Sequence, residues 1–236
     1  MSDEVDSRIS PSLHPLNARE VEGYSEATAP AVASTEHAFR RAYQGLQAVH
    51  DARAIASKNE AWTEAQVVIE TDKLARKYQD SITRAFDNAH EGLRRDIETV
   101  ERELSSPVTS KASLGIAQEV RAHVKGLKPG ERMGFVRNLI ESGDDSVTAV
   151  LGGPAFLSGI DGEAQAVFTR MYHEKQNPAA VARLTAMRGA AALIESNGPL
   201  VFRELEKAVG APPHKAKALR EANTAAEKAM VMRDVA

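Results

Sequence analysis

The stretch from Val67 to Leu104, VVIETDKLARKYQDSITRAFDNAHEGLRRDIETVEREL, decides the fold of this chain. Its apolar residues recur at steps of three and four, with one threonine in the series: Val67, Thr71, Leu74, Tyr78, Ile82, Ala85, Ala89, Leu93, Ile97, Val100 and Leu104. Ten steps cover 37 residues, so the mean step is 3.7. This step exceeds the ~3.5 of a left-handed coiled coil and is close to the ~3.67 of an eleven-residue repeat. The pattern predicts a nearly straight helix of about 40 residues, or roughly 60 Å, which needs packing partners along its length.

A second helical pattern precedes this stretch. From Thr35 onward, apolar residues again follow at steps of three and four: Phe39, Ala42, Leu46 and Val49. Thr63 followed by Gln66 has the form of a capping box, which marks the start of a helix. We therefore predict a turn over residues 58–62 and a helical hairpin. A continuous helix through this point is the alternative.

The first 33 residues have no sustained hydrophobic period. They carry three prolines, six acidic residues and two basic residues. This composition predicts a flexible or peripherally docked acidic arm. Its scattered apolar residues could dock it onto a partner: Met1, Val5, Ile9, Leu13, Leu16 and Val21.

Beyond Pro107 the chain changes to short helical patterns separated by glycine and proline. The predicted helices are Ser110–Lys125, Pro129–Ser142, Asp145–Leu151, Asp161–Gln176, Pro178–Ser196, Pro199–Val209 and a last one from Pro213. Asn177, Asp145 and Asp161 fit N-caps, and Gly143 and Gly210 fit C-terminal caps. No segment shows the alternation of a half-buried strand.

The larger apolar residues of this region are predicted to form its core. They are Ile116, Val120, Val124, Leu127, Met133, Val136, Leu139, Ile140, Phe156, Phe168, Met171, Tyr172, Leu184, Ile194, Phe202 and Leu205. The fold class is therefore all-α, with a long helical hairpin or rod followed by a C-terminal bundle of short helices. The predicted parts are an arm (1–33), the hairpin or rod (34–106), the bundle (107–210) and a terminal helix or tail (211–236).

Composition excludes several classes of protein. The net charge of −3 lacks the basic excess of proteins that coat nucleic acid. No apolar run approaches the ~20 residues that span a bilayer, and the acidic start lacks a signal-peptide pattern. The chain has no cysteine, which excludes disulfides, thiolate zinc sites and cysteine nucleophiles. We expect a protein of the bacterial host cytoplasm, in free form or incorporated into a virion, with no membrane span.

No catalytic, metal or cofactor motif is found in the sequence. The seven histidines are scattered, none with a second histidine at i+4, and Asp87 with His90 is only half of a di-iron motif. Glycines between Gly152 and Gly162 lack the order of a phosphate loop and are expected to let two helices cross closely. Ser158 is not in a nucleophile elbow. The sequence thus predicts a protein that is not an enzyme and has no cofactor.

The last segment, 211–236, is an alanine-rich helical pattern with five basic and three acidic residues. One interpretation is an exposed terminal helix. The other is a helix that docks into a partner's groove, where an apolar stripe makes the contact and cations steer the approach. The residues expected to bind the partner are Leu219, Ala222, Ala226 and Met230 on the stripe, with the cations Lys215, Lys217 and Arg220.

The run from Gly130 to Ile160, GERMGFVRNLIESGDDSVTAVLGGPAFLSGI, together with the long polar helix before it, resembles a known group of sequences. These are uncharacterised helical proteins from the structural-gene modules of tailed bacteriophages and prophages. The resemblance covers residues 60–205 and assigns no role to any residue. It implies a virion or assembly component that acts through many copies and repeated contacts.

Four hypotheses follow, the last of which is an enzyme that uses a diffuse polar site without a recognisable motif. The first is a non-enzymatic structural protein of a tailed-phage particle, which binds itself or other virion proteins. A capsid scaffolding protein is the nearest alternative, since a charged helical rod suits salt-sensitive binding to a shell protein. The third is a cytosolic regulatory adaptor that binds one protein, or nucleic acid through local basic stretches, although the overall charge disfavours nucleic acid.

Overall fold

The computed structural model describes residues 5–230, and within this range every regular element is helical. The predicted all-α fold is confirmed. In the described residues, ten α-helices follow two short 3₁₀ turns, Pro11–Leu13 and Pro15–Arg19. The helices are α1 (Ala29–Ala56), α2 (Glu64–Leu104), α3 (Leu114–Gly126), α4 (Pro129–Ser142), α5 (Val147–Leu151), α6 (Ala155–Ser158), α7 (Gly162–Gln176), α8 (Pro178–Asn197), α9 (Leu200–Val209) and α10 (Pro213–Ala229). No helix in the described range is long and apolar enough to cross a membrane.

The chain packs as two compact units. The first unit contains the described residues up to Arg94 and those from Ala186 onward, and the second runs from Arg95 to Thr185. This division differs from the predicted boundaries at 106 and 210, because α9 returns to pack on α1 and so belongs with the hairpin. A segment's unit is thus set by contacts between residues far apart in the sequence.

The hairpin of α1 and α2 is the centre of the first unit. Phe39 and Phe86 meet edge to face with ring centroids 4.9 Å apart, and Arg41 Nε donates to Ser81 Oγ at 2.8 Å. Because the contacts on α1 and α2 run in opposite directions along the chain, the two helices are antiparallel. At the turn, the Gln66 amide donates to Thr63 Oγ1 at 3.2 Å, as the capping box predicts.

The long helix is 41 residues, close to the predicted length. Every position of its predicted apolar series is buried or half-buried. Thr71 fits within the series because its hydroxyl donates to the carbonyl of Val67 at 2.7 Å, one turn earlier. A β-branched polar residue can therefore occupy a buried helical position without an unpaired hydroxyl.

The N-terminal segment packs against α1 and does not form the flexible version of the predicted arm. Leu13 and Ala18 are fully buried, and the two 3₁₀ turns pack against α1. Pro11 and Pro15 begin these turns, since proline fixes the backbone angle that a tight helical turn needs. The Ser10 amide donates to Glu204 on α9, and the side-chain amide of Asn197 on α8 donates to the carbonyl of Ser12. Met1, named above as a docking residue, lies outside the described residues.

The second unit is a bundle of short helices with its own core. The core residues are Val108, Val124, Val136, Ile140, Val147, Val150, Leu151, Ile160, Ala164, Phe168 and Tyr172. Asp161 accepts a hydrogen bond from the Ala164 amide at 2.7 Å, which confirms the predicted N-cap of α7. Gly143 adopts a left-handed φ of 75°, which confirms the predicted end of α4. Helix α3 begins four residues later than predicted, because the Lys111 amide bonds to Thr148 Oγ1 instead.

Several sequence predictions for residues 107–210 need correction. Phe156 and Phe202 are 69% and 52% exposed, so they are surface residues and not core residues. Ile116 is also exposed. Asp145 does not cap α5; its carboxylate pairs with Lys111 at 2.7 Å. Apolar periodicity identifies a face of a helix but does not show which part of that face finds a neighbour.

Candidate binding surfaces

Helix α10, predicted to bind a partner, is only partly free to do so. Ala216 is buried against the first unit and Leu219 is half-buried. Ala222 and Ala226 are exposed, and Met230 is 85% exposed. Of the predicted stripe, only Leu219 is thus partly covered, and the role of the stripe in binding stays a prediction.

The cations of α10 are also divided. Arg220 Nε lies 2.6 Å from Asp72 Oδ2 on α2, and the same carboxylate accepts from Arg76 at 3.0 Å. Arg220 therefore holds α10 to the hairpin, a role that sequence reasoning missed. Lys215 is exposed, and Lys217 approaches Glu221 only to 3.8 Å. Arg233, the last cation of the predicted tail, lies outside the described residues.

The glycine-rich stretch encloses a cleft in the second unit. The cleft has a volume of about 600 Å³. Its lining consists of Ser105, Pro107, Val108, Leu151, Gly152, Gly153, Gly162, Gln165, Ala166, Val167, Thr169 and Arg170. A Cβ atom on Gly152 would lie 2.7 Å from the Ser110 nitrogen and 2.9 Å from the Val108 oxygen. The glycine therefore permits a close backbone approach, as predicted. The approach is between the end of α5 and the non-helical segment before α3, and not between two helices.

The polar groups of this cleft serve the fold. The Gln165 side chain donates to the carbonyls of Leu151 and Gly153 at 2.9 and 2.6 Å. These bonds give partners to carbonyl groups at the end of α5, which have none within the helix. Arg170 Nε pairs with Glu174 at 2.8 Å. Ser106, at the edge of the cleft, has its Oγ 3.4 Å from His173 Nε2, but this nitrogen donates to the Ser106 carbonyl at 2.8 Å and so has no lone pair to accept the hydroxyl proton. The geometry favours a structural cleft.

A cluster of ionisable residues surrounds the N-terminal segment. Arg8 bonds to Asp6 and lies 2.8 Å from Asp51 on α1. The hydrogen bonds from Arg8 are the main reason that the pKa of Asp6 falls to about 2. Glu204, which is fully buried, accepts from Lys207 Nζ at 2.6 Å and from the Ser10 amide at 3.3 Å.

His50 lies within the same cluster. Burial lowers the pKa of His50, and the positive charge of Arg8 lowers it further. Its Nε2 atom is buried without a hydrogen-bond partner in the described part of the chain. The arrangement thus keeps the imidazole neutral and attaches residues 6–10 to α1 and α9. Residues 5–230 contain no group of three or more metal-ligating side chains, and His90 pairs instead with Glu195 at 3.0 Å.

The tip of the hairpin carries an apolar groove that sequence reasoning missed. The groove is about 400 Å³ and is lined by Ala52, Ile55, Ala56, Asn59, Trp62, Glu70, Thr71 and Leu74. Ile55 is 71% exposed and Trp62, the only tryptophan, is 39% exposed. We call these residues the hairpin-tip surface. A tryptophan beside a predicted turn was the available signal, because aromatic residues at exposed turns are common in protein interfaces.

Comparison with known proteins gives no relative. No family model, curated protein or solved structure is detectably similar to this chain.

Proposed function

We propose that this protein is a non-enzymatic structural or assembly component of a tailed-phage particle, which acts through protein–protein contacts at the hairpin-tip surface. The observation that carries the proposal is the exposure of Ile55 and Trp62 beside an apolar groove. Large apolar side chains grouped around a groove favour a protein partner, since covering them removes apolar area from water. The virion setting rests on the resemblance of residues 130–160 to phage structural-gene products.

The polar clusters add support because each has a structural explanation. Glu204 and Arg8 hold the N-terminal segment. Gln165 pairs backbone carbonyls at the end of α5. Arg220 fastens α10 to the hairpin. A protein whose polar groups are used in this way is better suited to binding than to catalysis.

The test is the absolute mass of the purified protein, measured by light scattering over a range of concentrations and salt. We expect a defined multimer that persists in high salt, because apolar contacts are not screened by ions. Ile55→Ser should weaken association about 10-fold or more, as the loss of a buried isoleucine costs roughly 1.5–3 kcal/mol. Ile116→Ser, at another exposed isoleucine, is the matched control and should leave the mass unchanged.

A monomer at every concentration, with no affinity for particle proteins, would contradict the proposal. A multimer that is unchanged by Ile55→Ser would show that the contact between copies lies outside the hairpin-tip surface.

A scaffolding protein is a second candidate, and one observation favours it. The second half of α10 is uncovered, and Lys215, Lys217 and Lys228 are exposed along this helix. Such a helix suits transient, salt-sensitive binding to an acidic shell protein. Retention of the protein in mature particles would exclude this candidate, whereas presence in immature particles alone would support it.

A further inference from the structure

The one-turn helix α6 presents two large apolar side chains to solvent. Ser158 is fully buried and Ala155 packs against the core of the second unit, which fixes the orientation of the helix. Phe156 and Leu157 then point outward, and both are exposed. We call Phe156 and Leu157, with the cations described next, the α6 face.

Three cations flank α6, and they come from the helices on either side of the α3–α4 turn. A Cβ atom on Gly153, before α6, would lie 3.0 Å from Arg121 Nη1. A Cβ atom on Gly159, after α6, would lie 3.3 Å from Lys125 Cγ and 2.8 Å from Arg132 Nη1. The apolar pair is therefore bracketed by positive charge at both ends.

No carboxylate neutralises these cations within the described residues. Arg121 donates to the carbonyl of Ala149 at 3.1 Å. Arg132 donates to the carbonyls of Gly159, Lys125 and Leu127. Carbonyl groups accept hydrogen bonds but leave the positive charge uncancelled. Glu119 and Glu131 lie near these cations in the sequence but form no ion pair with them in the described part of the chain, and Asp161, which follows α6, caps α7.

We propose that the α6 face binds an acidic amphipathic helix of a partner protein. The apolar side of such a helix would cover Phe156 and Leu157. Its flanking carboxylates would pair with Lys125 and lie near the positive charges of Arg121 and Arg132. This inference is independent of the hairpin-tip proposal, because it concerns different residues in the other unit.

A protein helix fits the α6 face better than nucleic acid or a membrane does. Arg121 and Arg132 already donate to backbone carbonyls, whereas binding to nucleic acid usually needs several cations that are free for phosphate oxygens. Of the three cations only Lys125 is exposed, and binding to an anionic bilayer usually needs several exposed cations. Phe156 and Leu157 correspond to the apolar centre of a protein interface, and the three cations correspond to its charged rim.

The test is a selection from a random 16-residue peptide library on the immobilised full-length protein. We expect the enriched peptides to carry apolar residues at i, i+3, i+4 and i+7 with acidic residues between them. Their affinity, measured by fluorescence anisotropy, should fall at least 10-fold for Phe156→Ser and for Lys125→Glu, and should weaken with added salt. Both side chains are exposed, so circular dichroism should show an unchanged helix content.

The matched controls are Phe202→Ser, for loss of an exposed phenylalanine, and Lys77→Glu, for reversal of an exposed charge on α2. Neither should change peptide affinity. Enriched peptides without the acidic pattern, or peptides that bind Phe156→Ser as well as the unchanged protein, would overturn the proposal. So would Phe156-dependent binding of phosphatidylglycerol vesicles or of a DNA oligonucleotide in the absence of any acidic peptide.

Discussion

At the scale of single residues, Gly152 is the position with the least tolerance for a side chain. A Cβ atom there would meet the Ser110 nitrogen, the Thr148 oxygen and the Val108 oxygen, all backbone atoms, at 2.7–2.9 Å. Gly152→Ala should therefore lower the free energy of unfolding by about 2 kcal/mol or more, measured by urea denaturation.

Gly134→Ala is the control for that substitution. Gly134 lies inside α4 with open space around its Cβ position, so alanine there should stabilise the protein by about 0.5–1 kcal/mol. Equal effects at the two glycines would contradict the close backbone approach at Gly152.

His50 makes stability depend on pH. Because burial lowers its pKa, the folded protein binds fewer protons than the unfolded chain as the pH falls below the ordinary histidine value of 6.5. Stability should therefore be full above pH 6.5 and decrease as the solution becomes more acidic, down to the folded pKa. Asp6, Arg8, Arg53 and Glu204 are the charged groups that act on this imidazole.

The measurement is the urea midpoint between pH 7.5 and 5. His50→Gln should flatten the profile in this range, whereas the exposed His214→Gln should keep it. Parallel profiles for all three proteins would show that His50 is not responsible. The low pKa of Asp6, about 2, acts in a separate window: its contribution is present above pH ~4 and is lost toward pH 2.

At the scale of elements, the N-terminal segment behaves as a packed part of the first unit. Leu13 is fully buried in it. Leu13→Ala should cost about 2–5 kcal/mol of unfolding free energy and increase cleavage by protease within residues 5–28. Val5→Ala, at an exposed residue of the same segment, should stay within about 0.5 kcal/mol of the unchanged protein. If Leu13→Ala were equally silent, the segment would be the flexible arm that composition predicts.

The start of α2 depends on one side chain. Thr63 Oγ1 accepts from the Gln66 amide, which would otherwise lack a partner in the first helical turn. Thr63→Ala should cost about 1 kcal/mol. Thr99→Ala, inside the same helix where the hydroxyl bonds back to Arg95, should be neutral or slightly stabilising. Thermal unfolding of the two variants gives the comparison, and identical midpoints would show that the cap contributes nothing.

At the scale of the whole molecule, two cores share one chain. Val136 lies in the core of the second unit and Leu46 in that of the first, and both are fully buried. Val136→Ala should destabilise its unit by about 2 kcal/mol and raise amide hydrogen exchange first in α3, α4 and α7. Leu46→Ala should instead raise exchange first in α1 and α9. An identical exchange pattern for both variants would contradict a division into two units.

The sequence by itself determined nine of the ten helices in the described range and most of their ends, and the one-turn helix α6 was not predicted. Helix formation depends on groups within about four residues of each other, so periodicity, the cap at Asn177 and the turn glycines Gly143 and Gly210 were enough. The 41-residue helix and the hairpin turn were predictable for the same reason.

Only the tertiary structure decided what each apolar face meets. The bond from Ser10 to Glu204 joins residues 194 positions apart, and no local pattern encodes such a pair. For the same reason Leu13, in a segment of disordered composition, is buried, while Phe156, which was predicted to be a core residue, faces solvent. Hydrophobicity favours burial in general but does not specify the covering element, because the effect is non-directional and depends on how distant segments pack. The hairpin-tip surface and the α6 face are therefore properties of the packed chain.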